Sequence, residues 1–127
     1  MSFRLPRLTR ACWNRLTIMV PTRDVKSVVE HILEQIPNYM IGELNSGRGI
    51  VTARYATSRR PDQTLINTLL EGFPGIWLKN EWYEEMGEAG VIVGKRDAVQ
   101  TFSWTEGSME EMVARSAALD DEEAQEF

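Results

Sequence analysis

Residues 73–94 read Phe-Pro-Gly-Ile-Trp-Leu-Lys-Asn-Glu-Trp-Tyr-Glu-Glu-Met-Gly-Glu-Ala-Gly-Val-Ile-Val-Gly, and their alternation decides the fold. Ile76, Leu78 and Trp82 fall on one side of an extended chain, whereas Trp77, Lys79, Glu81 and Tyr83 fall on the other. The segment predicts a long strand, an acidic glycine turn over residues 86–90 and a strand returning over residues 91–93. Trp82 shares its side with two aliphatic residues and is expected in the core. Trp77 and Tyr83 are expected either on an open sheet face, under a C-terminal helix carrying Met109 and Met112, or against a second copy.

Working toward the N-terminus, Gly72 and Pro74 end a helix that Arg59-Arg60-Pro61-Asp62 opens, with Leu65, Ile66, Leu69, Leu70 and Phe73 on its inner face. Residues 50–56 predict a strand, preceded by a turn over residues 45–49. Before that, Val25, Val28, Val29, Ile32, Leu33 and Ile36 recur at helical spacing, with Thr22 as the expected N-cap and Pro37 as the stop. Leu16, Ile18 and Val20 alternate with Arg15, Thr17 and Met19, which predicts a half-buried strand over residues 14–20. Beyond residue 94, a last strand is expected over Ala98–Trp104. Ser108 and Glu111 form a capping box for a short terminal helix.

This order predicts an α+β fold: an antiparallel sheet with two helices on one face, an added C-terminal strand and a short terminal helix. The other face is free to meet solvent or a partner. Arg15, Thr17, Thr52, Arg54, Trp77, Lys79 and Tyr83 are expected there. The organisation expected is a basic arm over residues 1–11, the sheet domain over 12–106, the short helix over 107–119 and an acidic, disordered tail over 120–127.

At 127 residues and 43% hydrophobic content, the chain suits one domain with a core of its own. The net charge of −5 is segmented. Arg4, Arg7, Arg10 and Arg15 stand without an acid in residues 1–15. Asp120, Asp121, Glu122, Glu123 and Glu126 stand without a base at the end, as a solvating tail or as a mimic of nucleic acid toward a basic partner. No apolar run approaches the roughly 18 residues of a membrane span, no signal peptide is apparent, and Cys12 alone permits no internal disulfide. A cytoplasmic protein is expected.

Cys12-Trp13-Asn14-Arg15-Leu16-Thr17, followed by Pro21 and Val25, resembles the opening of the ferredoxin-like domain of the Api-type phage and plasmid proteins. Phe73-Pro74, the aromatic strand ending in Glu84-Glu85, and Gly87 with Ala89-Gly90 resemble its second half. The resemblance spans about residues 12–104. It implies a ferredoxin-like fold and an origin on a mobile genetic element, and it implies no established activity. Arg59-Arg60 before Pro61 and the acidic tail depart from the family pattern.

The residue types argue against catalysis. His31, the single histidine, lies about 100° from the centre of its helix's apolar stripe and is expected at the surface. Cys12 reads as a small buried hydrophobe. Glu81, Glu84, Glu85 and Glu88 are oxygen donors of the kind that hold hard cations, but alternation splits them between faces. No phosphate loop is present, and no catalytic residue, metal or cofactor is expected.

Two binding readings remain. In the first, the chain is a non-catalytic accessory protein of a phage or mobile element that binds and inhibits or remodels a host protein or nucleoprotein complex. A defence effector such as a CRISPR complex is one example, which makes an anti-CRISPR role a candidate. In the second, the open sheet face binds single-stranded nucleic acid, with Trp77 and Tyr83 as stacking platforms and Arg15, Arg54, Arg59, Arg60 and Lys79 on phosphates. Across both, the expected partner-binding residues are Arg54, Arg59, Arg60, Trp77, Lys79, Glu81, Tyr83, Glu84, Glu85 and Glu88. A monomer or homodimer without membrane contact is expected.

Overall fold

The computed structural model describes residues 11–58, 60–84 and 88–104. Strand β1, Ala11–Met19, runs through the middle of the sheet, with β3 (Ile50–Ser58) on one side and β4 (Trp77–Glu84) on the other, both antiparallel to it. Outside β3 lies β2 (Ile41–Gly47), and outside β4 lie β5 (Ala89–Lys95) and then β6 (Ala98–Trp104). The six strands form one sheet in the order β2-β3-β1-β4-β5-β6. The fold is α+β, with two helices.

Strand β2 corrects the sequence reading, which placed no strand between the first helix and the turn over residues 45–49. Gly42, Asn45, Ser46 and Gly47 give this segment little strand propensity of its own. It is held by pairing with β3, from Ile41 opposite Tyr55 to Gly47 opposite Ile50. The chain reverses through Arg48 and Gly49, the latter at φ 71°, where glycine carries no Cβ penalty.

Helix α1 (Val25–Gln35) and helix α2 (Gln63–Gly72) supply Val28, Ile32, Leu65, Ile66, Leu69 and Leu70 to the main core. They meet Leu16, Ile18, Val51, Ala53, Leu78 and Ile92 from the sheet, so both helices cover the same face. Leu33, expected on the inner stripe of α1, is instead 48% exposed. Thr22 does not cap α1 as expected. Residues Thr22–Asp24 form a single 3-10 turn, with the Asp24 N–H donating to the Pro21 carbonyl at 2.8 Å. Asp62 does cap α2, its Oδ1 accepting the Leu65 N–H at 3.0 Å.

The β4–β5 hairpin keeps the predicted parity, with Ile76, Leu78 and Trp82 buried on the helix side. Gly90 lies opposite Trp82, and a Cβ there would sit 2.7 Å from the indole while meeting the Phe102 carbonyl oxygen. Glycine at this position lets the tryptophan lie flat against the neighbouring strand. The expected terminal helix and acidic tail lie outside the described residues, as does the basic arm except Ala11.

Candidate functional site

Strand alternation puts two rows of chemistry-bearing residues on the face away from the helices. Register aligns Glu43 with Arg54, Arg54 with Arg15, and Arg15 with Glu81. Two arginines directly opposite each other repel. The flanking carboxylates offset that repulsion, Arg54 Nε lying 3.5 Å from Glu43 Oε1 and Arg15 Nε 3.7 Å from Glu81 Oε1. The result is a four-residue row with balanced charge. In the adjoining row, Trp13 stands between Ala56 and Tyr83.

The face divides into an open and a closed half. On β1 and β3, the side chains of Arg15 and Arg54 are 57% and 67% exposed and Trp13 is 37% exposed. On β4 and β5, Trp77 is 0% exposed and Lys79 and Glu81 are 5% each. Trp77 packs with Val91 and Val93, and Met19 and Phe102 close around them. Lys79 Nζ lies 3.7 Å from Glu81 Oε1, so that carboxylate faces two cations while almost fully withdrawn from water. A buried carboxylate persists only with such company. The expectation that Lys79 and Glu81 stand open on this face is therefore corrected, and of the alternatives for Trp77 the open face is the one excluded. They share its parity but are buried.

Arg60, Glu84 and Glu88 belong to a different feature, at the end of the β4–β5 hairpin. Arg60 Nη2 pairs with Glu88 Oε2 at 3.0 Å, and its guanidinium lies 5.9 Å from the centre of the Trp82 ring. The Glu84 N–H donates to the Glu88 carbonyl at 2.6 Å, closing the hairpin, and the Glu84 side chain is largely buried. Arg60 thus ties the loop before α2 to the hairpin. Arg59 and Glu85 lie outside the described residues.

A buried polar network lies on the helix side. Asn14 Nδ2 donates to Thr57 Oγ1 at 3.0 Å, Asn80 Nδ2 to Asn14 Oδ1 at 3.0 Å, and Tyr55 Oη to Asn80 Oδ1 at 3.1 Å. Burial, with the Asp62 charge behind it, holds the Tyr55 phenol far above its ordinary range. These groups join β3, β1 and β4 through hydrogen bonds that satisfy one another, which makes the network a strut rather than a reaction centre. The Cys12 thiol is pushed up to about 11, chiefly by burial, against a hydrogen bond with Thr57 that lowers it. It is a thiol and not a thiolate at neutral pH.

His31 is corrected from a surface residue to a half-buried helix–helix contact. Its Nε2 lies 2.7 Å from Thr68 Oγ1, and its ring meets Phe73 edge-on at 6.1 Å. The Thr68 hydroxyl donates to the Leu65 carbonyl at 3.1 Å, which leaves its oxygen to accept from the imidazole. A cleft of about 260 Å³ opens where α1 ends, with Tyr39 and Asp62 on its wall, and Asp62 is engaged there in capping α2. Among the described residues, no three of His, Cys, Asp or Glu converge as metal ligands.

Of the residues expected to bind a partner, the structure leaves Arg54 open on β3 and Tyr83 half-buried on β4, at the border of the open half beside Trp13. It adds Trp13, and it keeps open Arg15, which was expected on this face as a phosphate contact. The signal for Trp13 was present, since the alternation that sets Arg15 and Thr17 outward sets Trp13 outward as well. No family model, no curated protein and no solved structure matches the chain. Among the described residues, no helix is long and apolar enough to cross a membrane.

Proposed function

We propose that the chain is a non-catalytic binding protein whose open sheet half, centred on Trp13, Arg15, Arg54 and Tyr83, docks another protein. One observation carries this reading: two outward arginines, each already paired with a carboxylate, lie beside an exposed tryptophan on a face that neither helix covers. Tryptophan, tyrosine and arginine are the residue types that dominate protein–protein hot spots. A phosphate-binding face needs unbalanced positive charge. Here each arginine already has a carboxylate beside it, Glu43 for Arg54 and Glu81, shared with buried Lys79, for Arg15, which favours a mixed-charge protein surface.

A ferredoxin-like domain is the finer reading of the fold. It is supported by the order β1-α1-β2-β3-α2-β4 with sheet order β2-β3-β1-β4, to which β5 and β6 are added beyond β4. With the resemblance to the Api-type proteins, this supports reading the chain as an accessory protein of a phage or mobile element that binds and inhibits or remodels a host complex. The test is capture from a nuclease-treated host lysate by wild type and by the Trp13→Ala/Arg54→Gln double variant, which leaves the Arg15–Glu81 pair intact. A protein retained by wild type and lost by the variant supports the reading. Salt-dependent binding of labelled single-stranded DNA or RNA to the pure protein, with no protein captured, sinks it.

A further inference from the structure

The two edges of the sheet differ in how they are protected. Natural sheets blunt edges with charge, proline or bulges, because a regular edge offers unpaired N–H and C=O groups to any other strand. Strand β2 has such protection. Its register shifts between Ile41 and Glu43, and it carries Gly42, Glu43 and Gly47. Strand β6 has none, for Ala-Val-Gln-Thr-Phe-Ser-Trp over Ala98–Trp104 contains no charge, proline or glycine. It pairs with β5 along its whole inner side, from Ala98 opposite Lys95 to Trp104 opposite Ala89. Residues 98–101 and Ser103 are exposed, and no described strand lies on the outer side.

We infer that β6 is a self-association edge, pairing antiparallel with β6 of a second copy about a two-fold axis at Thr101. That centre alone keeps all seven residues of the strand paired. It sets Thr101 against Thr101 of the second copy, Gln100 against Phe102, and Val99 against Ser103, so no like charges meet. Strands β4 and β5 separate β6 from β1, so the dimer leaves Trp13, Arg15 and Arg54 free. A seam of one strand from each copy is small, and the dimer is concentration-dependent.

Sedimentation equilibrium of the full chain over a wide concentration range tests this. Wild type is expected to rise from its 14.5 kDa monomer mass toward twice that value. Thr101→Lys, which sets two lysines against each other at the axis, weakens association by up to about fivefold. Thr101→Glu does the same, and an equimolar mixture of the two variants regains the dimer. Thermal melts at low concentration check that both variants keep the fold. A wild type that stays monomeric up to its solubility limit overturns the inference. So does a dimer indifferent to Thr101→Lys, or a mixture that fails to regain it.

Discussion

On the face away from the helices, β1 and β3 present Trp13, Arg15 and Arg54 to solvent, while the adjoining β4 and β5 bury Trp77, Lys79, Glu81, Val91 and Val93. The two halves share one strand alternation and meet along the β1–β4 ladder, where Arg15 of the open half pairs with Glu81 of the closed half. Their residue types are alike as well, each having a tryptophan, a cation and a carboxylate. What separates them is packing. Trp77 has Val91 and Val93 beside it on the next strand, whereas Trp13 has Ala56 and the half-buried Tyr83. A side chain's parity therefore assigns its face but not its burial.

The largest expected effect breaks the closed half. Trp77→Ala should cost about 3–5 kcal/mol in urea unfolding, as for other large buried aromatics; a loss as small as that of Trp13→Ala would erase the distinction between the halves. Next comes the buried thiol. Its folded pKa of about 11 exceeds the ordinary 9.0, so the unfolded chain ionises first. The thiol's contribution is intact below pH 9 and is lost as pH rises toward 11, up to about 2–3 kcal/mol. A Cys12→Ala variant should show a shallower fall across that window.

Asn80→Ala leaves the Asn14 and Tyr55 groups without their partner and should cost about 1–3 kcal/mol. An unchanged urea midpoint would mean that the strut adds no rigidity to the β3-β1-β4 core. Arg60→Ala removes an ion pair and a ring contact made by a largely exposed side chain, so about 1 kcal/mol or less is expected in the same assay. The smallest effect sharpens the comparison from the other side. Trp13→Ala and Arg54→Gln, the latter at an exposed ion pair, should each change stability by no more than about 1 kcal/mol, while the capture assay loses its partner.

Much of this was legible in the residues. The parity of residues 76–83 correctly separated Ile76, Leu78 and Trp82 from Trp77, Lys79 and Tyr83, because a period of two is a local property of the chain. The α2 stripe was legible for the same reason, though which residue of Arg59-Arg60-Pro61-Asp62 caps it was not. Strand β2 was not, since Gly42, Asn45, Ser46 and Gly47 form a strand only where β3 supplies the pairing. The burial of Trp77 and Lys79, the Arg60–Glu88 pair and the Asn14–Asn80–Tyr55 network depend on residues distant in sequence. No local pattern encodes them. Trp13 is the exception, a surface residue that its own strand's alternation exposes.

The central claim, that the open half recognises a partner while the closed half holds the sheet together, is tested most directly by hydroxyl-radical footprinting of the full chain, alone and in its captured complex. The account predicts that Trp13 is oxidised in the free protein and protected in the complex, while Trp77 is protected in both. Equal labelling of Trp13 in the two samples, with protection appearing instead at Tyr39 beside the helices, would contradict it.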